Sequence, residues 1–357
     1  MSDNLNRTVK GRAARSNNAG RFEPYVREAF DDEWEIDEDL PVLRTEVSVE
    51  KPRKIITRNK SPDISFDRSI NPYRGCEHGC IYCFARPSHA YLGWSPGLDF
   101  ETKLIARPDA AEVLEKELRA KSYRPAVIAM GTNTDPYQPI EKQYRIMRRI
   151  LEVLWEYRHP VSIVTKGTLI ERDADILGEM GRLGLARVGI SVTTLDAKLA
   201  RLMEPRVPSP KRRLQMIRRL SSAGCPVRIM TAPIVPALTD HEVEAILEAG
   251  AEAGADAASW IMLRLPLEVS ELFQEWLHEH FPDRAKRVMG RVRALHGGKD
   301  YDTEWGKRLT GEGAFADLVR HRFEIAAKRL GLKRKEPELR LDLFQRPVRV
   351  GDQMTLF

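Results

Sequence analysis

The feature that most restricts how this chain can fold is the repetition of a β-rich run followed by an amphipathic run. The pattern recurs roughly every 30 to 35 residues, as is typical of βα units around a parallel sheet. The predicted strands are Ser65–Asn71, Ala126–Met130, Val161–Thr165, Arg187–Val192, Val227–Thr231 and Ala257–Leu263. Six units are fewer than the eight of a closed barrel. The sequence therefore predicts an α/β fold, a partial (β/α)6 TIM-like barrel.

The amphipathic runs carry apolar residues at helical spacing. The predicted helices of the barrel are Ala110–Lys121, Glu141–Tyr157, Arg172–Leu183, Pro210–Ala223 and His241–Ala253. Beyond the last strand the pattern turns helical, over Glu268–His280, Pro282–Leu295 and Ala314–Leu330. The predicted organisation is a barrel over residues 51–265, a helical C-terminal extension over 266–335 and a C-terminal tail over 336–357.

The N-terminal residues 1–50 are predicted to form a disordered tail. A loose basic arm is followed by an acidic run over residues 31–39, and little periodic apolar sequence accompanies them. The alternative is an arm that contacts nucleic acid or the protein's own basic surface. The net charge of the whole chain is +6, which permits a polyanionic partner without requiring one.

Composition excludes several classes of protein. No apolar stretch approaches the roughly 18 residues of a membrane span, and no apolar run follows Met1 as in a secretory signal. Four cysteines in 357 residues do not make a disulfide scaffold. A cytoplasmic protein without a membrane segment is therefore expected.

Three of the cysteines, Cys76, Cys80 and Cys83, stand in C-x3-C-x2-C spacing directly after the first predicted strand. Gly75 and Gly79 allow the loop to wrap tightly around one small object. Three thiolates suit a [4Fe–4S] cluster that keeps one iron open for a reactant. The alternative is a zinc site with a histidine as fourth ligand, although zinc fingers supply their ligands in two separated pairs and no second pair is present.

This spacing, with an aromatic residue (Tyr82) before the last cysteine, resembles the radical S-adenosylmethionine (SAM) superfamily. The segments Asn71–Arg86, Gly131–Glu141, Thr165–Gly167 and Glu204–Arg206 resemble its spore photoproduct lyase-like branch. The resemblance implies a [4Fe–4S] cluster whose open iron holds the amino and carboxylate groups of SAM. It also implies cleavage of the S–C5′ bond, hydrogen abstraction from a substrate by the resulting radical, and a flavodoxin- or ferredoxin-like reductant.

The resemblance also places SAM contacts after successive strands. The glycine and polar residues at 131–134 are expected to bind the methionine ammonium, three further residues its carboxylate, and residues 232–234 the adenine. The resulting set is Tyr82, Gly131, Thr132, Asn133, Thr134, Lys166, Ser191, Arg206 and Ile234, beside the cluster ligands Cys76, Cys80 and Cys83.

The chain departs from spore photoproduct lyase at one reactive position. That enzyme carries a hydrogen-donating cysteine in the loop where this chain has Thr132, and a hydroxyl O–H bond is too strong to donate readily. The remaining cysteine, Cys225, precedes the fifth predicted strand and is expected to be a small buried apolar residue. Reversal of spore photoproduct by the known route is therefore not expected.

The partner predicted for this enzyme is nucleic acid, in particular damaged DNA. Gln353–Phe357 resembles the short peptide with which bacterial repair proteins dock on the DNA sliding clamp. Clusters of arginine and lysine offer a surface for phosphates. Two alternatives stay open: radical SAM modification of RNA or a protein, and a non-catalytic, zinc-stabilised DNA-binding adaptor.

Overall fold

The computed structural model describes residues 11–23 and 43–348. The strands are β1 (Glu46–Val49), β2 (Ile56–Arg58), β3 (Arg68–Ile70), β4 (Tyr73–Arg74), β5 (Lys103–Ala106), β6 (Ile128–Met130), β7 (Val161–Thr165), β8 (Ala186–Ser191), β9 (Val227–Ile234) and β10 (Ala257–Met262). The helices are α1 (Leu98–Thr102), α2 (Ala110–Arg119), α3 (Glu141–Tyr144), α4 (Ile146–Glu156), α5 (Ala174–Arg182), α6 (Ala197–Met203), α7 (Pro210–Ser222), α8 (Val243–Glu252), α9 (Val269–His280), α10 (Pro282–Leu295) and α11 (Ala314–Arg329).

The main sheet confirms the predicted partial barrel. Its strand order is β10-β9-β8-β7-β6-β3-β2, and every neighbouring pair from β3 to β10 is parallel. Only β2, at the edge, runs antiparallel to its neighbour. A smaller sheet of order β1-β5-β4 stands beside it. The carboxyl ends of the six parallel strands therefore meet at one end of the barrel, where ligands bind in such folds.

Strand β7 illustrates how the sequence fills both faces of the sheet. Val161 and Ile163 are fully buried in the main hydrophobic core, whereas Ser162 and Val164 line a cavity inside the barrel. Successive side chains of a strand point to opposite faces, so this alternation separates a helix-facing layer from the barrel interior. The run remains apolar enough to be buried because helices cover the outer face.

The predicted helix over 141–157 is interrupted. Arg145 adopts a left-handed conformation (φ 51°) and separates α3 from α4. The buried carboxylate of Glu141 accepts hydrogen bonds from the backbone amides of Ile146 (3.0 Å) and Met147 (3.1 Å). These contacts satisfy amides at the start of α4, which have no partner within the helix. Apolar spacing alone does not reveal this break.

Residues 11–23 differ from the predicted disordered tail. Arg12, Ala13 and Ala14 are buried, and the amides of both alanines donate to the carboxylate of Glu101 (3.2 and 3.0 Å). Strand β1 also lies within the predicted tail and pairs with β5. Long-range contacts with α1 and β5 thus order a segment that has no amphipathic period of its own. The acidic run lies outside the described residues.

The helical extension packs on the barrel. Helices α9 and α10 share a hydrophobic cluster with α6 and the cysteine loop, and α11 packs in the main core. The segment after α11 lies along β10, where the amide of Ala258 donates to the carbonyl of Lys333 (2.9 Å). The predicted clamp-binding peptide Gln353–Phe357 is outside the described residues. None of the helices in the described residues combines the length with the apolar character that a membrane span requires.

Candidate functional site: the cysteine loop and the barrel cavity

The cysteine loop lies between β4 and a short 3₁₀ helix over Arg86–Leu92. Cys76, Cys80 and Cys83 line one cavity at the carboxyl end of the barrel strands. Gly79 adopts a left-handed conformation (φ 64°), and a Cβ atom there would lie 2.6 Å from a carboxylate oxygen of Glu101. The loop therefore brings three thiols together around one space and needs glycine to do so.

A buried guanidinium fixes the outer side of this loop. The side chain of Arg86 is fully buried and donates to the backbone carbonyls of Gly79 (3.1 Å) and Cys80 (3.0 Å). It also pairs with the fully buried carboxylate of Glu101 at 2.5 Å. A charged donor bridging two loop carbonyls and a counter-ion holds the loop in a single shape.

The donors around this space fit a cluster better than a zinc ion. Nδ1 of His78 lies 3.3 Å from the carboxylate of Asp135, and Nε2 of His89 lies 2.9 Å from the carbonyl oxygen of Lys103. Within the described residues the three thiols line one cavity, but no group of three His, Cys, Asp or Glu side chains lies close enough to hold a single ion, so neither histidine joins the thiols as a zinc ligand. Three thiols with no fourth protein ligand are the set expected for a [4Fe–4S] cluster that keeps one iron open.

Burial favours the protonated form of two thiols in the cysteine loop. Burial raises the pKa of Cys80 to about 12, although the charge of Lys166 lowers it, and burial also raises the pKa of Cys76. Bound metal ions deprotonate coordinating thiols outright. A metal ion bound by these thiols would therefore displace their protons as it binds.

The loop after β6 is tied to the end of β7. The carboxylate of Asp135 accepts hydrogen bonds from Oγ1 of Thr165 (2.5 Å) and from the backbone amide of Lys166 (2.8 Å). Gly131 has φ 83°, and a Cβ atom there would lie 1.9 Å from the carbonyl oxygen of Val164. The two strand ends therefore approach so closely that only glycine fits between them.

Most of the predicted SAM contacts come together beside the cysteines. Gly131, Asn133, Thr134, Lys166 and Ser191 line the same cavity as the three thiols. Burial lowers the pKa of Lys166, but the negative charges around it outweigh this effect and raise the pKa overall. Within residues 11–23 and 43–348, no side chain forms an ion pair with the Lys166 amine, which leaves it available to a carboxylate.

Other predicted contacts are placed differently. Arg206 donates to the carboxylate of Glu77 (3.1 Å) and is absent from the cavity lining that holds the cysteines. Ile234 is buried in the main hydrophobic core, while the preceding Ala232 and Pro233 line an adjoining cavity, here called the reaction cavity, which shares Cys80, Cys83 and Lys166 with the first. Thr132 lines a third cavity, inside the barrel.

Tyr82 belongs to a buried polar network that the sequence did not reveal. Its hydroxyl donates to the carboxylate of Glu204 and lies 3.2 Å from Oγ1 of Thr193. Glu204 pairs with Arg213 at 2.7 Å, and both side chains are fully buried. Burial raises the pKa of Glu204, but Arg213 and Lys166 outweigh it, so the pKa is lowered overall. The only sequence signal was the resemblance of Glu204–Arg206, because Arg213 lies in a basic run typical of a solvated helix face.

Comparison with known proteins agrees with this geometry. Residues 70–250 match the model of the radical SAM superfamily. An uncharacterized protein of Mycobacterium tuberculosis is 38% identical over 243 residues, covering 67% of this chain and 70% of the relative. An uncharacterized protein of Methanocaldococcus jannaschii is 28% identical over 245 residues, covering 68% and 86%.

The structure of a double mutant of spore photoproduct lyase with bound AdoMet and dinucleoside spore photoproduct has a TM-score of 0.58 to this chain, at 15% sequence identity and 80% coverage of both chains. This likeness supports the shared fold. The chain belongs to the radical SAM superfamily. It is a radical SAM enzyme, and its cofactors are a [4Fe–4S] cluster and SAM.

Proposed function

We propose that this enzyme acts on nucleic acid and that its substrate is a lesion in DNA. The observation that carries the proposal is the fold, which is shared over 80% of the chain with spore photoproduct lyase, a protein whose structure is known with a dinucleoside photoproduct bound. The excess of lysine and arginine over aspartate and glutamate agrees with a polyanionic substrate.

The proposed roles of the chain's own residues follow from their positions. Cys76, Cys80 and Cys83 hold the cluster, and Lys166 and Ser191 bind the SAM carboxylate from the ends of β7 and β8. When bound, these cofactors supply a carbon-centred radical that abstracts a hydrogen atom. The barrel orients the reacting groups and keeps water away from them. Arg206, which pairs with Glu77, is proposed instead to steady the cysteine loop.

The reaction proposed here does not use a cysteine to return hydrogen. Besides the three proposed cluster ligands, the chain contains only Cys225, which is buried just before β9. The cavity lies at the opposite, carboxyl end of that strand, at Ala232 and Pro233. The lesion and its repair chemistry therefore differ from the cysteine-dependent reversal of spore photoproduct.

The test is formation of 5′-deoxyadenosine by the anaerobically reconstituted, reduced enzyme, with and without ultraviolet-irradiated duplex DNA. We expect irradiated DNA to stimulate formation and unirradiated DNA to do so much less. Formation that is indifferent to both DNAs would refute the proposed substrate while leaving the enzyme class intact. Stimulation by RNA or by a protein alone would assign one of those as substrate.

Two partners complete the proposal. A flavodoxin- or ferredoxin-like protein is proposed to reduce the cluster, and Gln353–Phe357 is proposed to dock on the bacterial sliding clamp with Leu356 and Phe357 as apolar anchors. Removal of the last five residues should abolish clamp binding in a pull-down and leave DNA-free formation of 5′-deoxyadenosine unchanged. Equal capture of the shortened chain would disprove the docking role.

A further inference from the structure

Arg264 follows strand β10 and faces the reaction cavity. It lines the same cavity as Cys80, Cys83 and Lys166. The central carbon of its guanidinium lies 4.0 Å from the centre of the Phe84 ring, which is a close stacking distance. The sequence separates these two residues by most of the barrel; Phe84 lies within the cysteine motif, whereas no motif marks Arg264.

This guanidinium has no carboxylate partner in the described part of the chain. By contrast, the nearby Arg308 pairs with Asp63 at 2.5 Å, and the buried Arg213 pairs with Glu204 at 2.7 Å. Burial and the positive charge of Arg308 lower the pKa of Arg264, although Tyr301, which is hydrogen-bonded to the guanidinium, and Cys83 oppose the change. A partly desolvated cation without a carboxylate counter-ion is costly unless an anion binds to it.

The ring beneath the guanidinium is open to a ligand. Phe84 is 42% exposed although it directly follows the last cysteine of the loop. An exposed aromatic face beside a cation is the combination with which proteins hold an unpaired base and its phosphate.

We propose that Arg264 and Phe84 form a nucleotide-binding platform at the mouth of the cavity. The guanidinium binds a phosphodiester oxygen of a nucleic-acid strand, and the exposed part of the Phe84 ring stacks on a base. This inference rests on the proposed function, because it names the contacts that present a nucleic-acid strand to the reaction cavity. A planar guanidinium can bind a phosphate with two parallel hydrogen bonds while it stacks on a ring, which an ammonium cannot do.

The test measures binding of a short fluorescein-labelled single-stranded oligodeoxynucleotide to the reconstituted holoenzyme by fluorescence anisotropy at several salt concentrations. Arg264→Gln is expected to raise the Kd by about tenfold. The logarithm of the binding constant falls linearly as the logarithm of the salt concentration rises. Arg264→Gln should make this slope less steep by about 0.7, the value for one phosphate contact on a single strand. Arg264→Lys should keep the slope and still weaken binding. Arg291→Gln is the matched control, since Arg291 stacks at 5.0 Å on Phe315 and neither residue lines the reaction cavity.

Further binding measurements distinguish a phosphodiester of a nucleic-acid strand from a free phosphate ion and from the carboxylate of SAM. An oligomer with uncharged methylphosphonate linkages should bind wild type and Arg264→Gln equally. If inorganic phosphate alone displaces the oligonucleotide at matched ionic strength, the ligand of Arg264 is a free phosphate ion and the platform is overturned. An Arg264→Gln enzyme whose Kd for SAM rises while its Kd for the oligonucleotide does not would assign the guanidinium to the SAM carboxylate, which also overturns it. If wild type itself binds no nucleic acid, the proposed function fails; if only the variant comparison is flat, the platform alone fails.

Discussion

Glu101 is predicted to hold the cysteine loop together through charge. Its side chain is fully buried, and its carboxylate accepts hydrogen bonds from Arg86 (2.5 Å) and from the amides of Ala13 and Ala14. Glu101→Gln keeps the shape of the side chain but removes the negative charge. The fully buried Arg86 then has only neutral carbonyl oxygens around it. Breaking a buried ion pair by removing one partner costs about 3–5 kcal/mol, and we expect a loss of that size.

The assay is urea denaturation followed by circular dichroism, with the iron content of the purified protein measured in parallel. Glu279→Gln is the control, because Glu279 pairs with Arg15 at 2.5 Å but is 37% exposed. Exposed pairs contribute about 1 kcal/mol or less, so the control should unfold nearly as wild type does. We also expect Glu101→Gln to retain less iron.

A double variant tests the reasoning further. Replacing both Glu101 and Arg86 by methionine removes both charges. The loss of stability in this double variant should be smaller than the sum of the losses in Glu101→Met and Arg86→Met measured separately. Equal midpoints for Glu101→Gln and the surface control would refute the assigned role. Strict additivity in the double variant would show that the two side chains act independently.

Three other predictions concern pH, backbone space and the cluster. Burial lowers the pKa of His159 from its ordinary 6.5 to about 4, so between these pH values the unfolded chain binds a proton that the folded chain does not. The free energy of unfolding should therefore fall by about 3 kcal/mol as the pH falls through this window. In denaturation curves measured across the window, His159→Phe should flatten this pH dependence. Gly131→Ala places a methyl group against the β7 backbone, so the variant should lose SAM binding in equilibrium dialysis, whereas Gly93→Ala meets no atom within 4 Å and should bind SAM as wild type does. Cys80→Ala should purify colourless with little iron, whereas Cys225→Ala should keep the brown colour.

A specific result would contradict each of these three predictions. An unchanged pH slope in His159→Phe would place the titration on another group. Normal SAM binding by Gly131→Ala would mean that the two strand ends can separate freely. A brown Cys80→Ala protein with full iron would remove this cysteine from the ligand set, and a colourless Cys225→Ala protein would add one to it.

The sequence alone determined the barrel and its cluster loop. Strand and helix periodicity depend on neighbours within a few residues, so the six parallel strands were predictable, and β7 was predicted at its observed bounds, Val161–Thr165. The spacing of Cys76, Cys80 and Cys83 is equally local. Because parallel strands end together, the sequence also indicated that Lys166 and Ser191 would lie near the cysteines, and both line their cavity.

Only the tertiary structure decided which charges pair and which stay free. Arg206 and Arg264 are both guanidiniums near the cysteine loop, yet Arg206 pairs with Glu77 while Arg264 stacks on Phe84. The ordering of residues 11–23 likewise depends on Glu101, far away in the sequence. Pairing energies depend on distance and desolvation in three dimensions, and the sequence carries no local record of either. The periodic pattern therefore specified the scaffold, and the packing of distant segments specified the site's electrostatics.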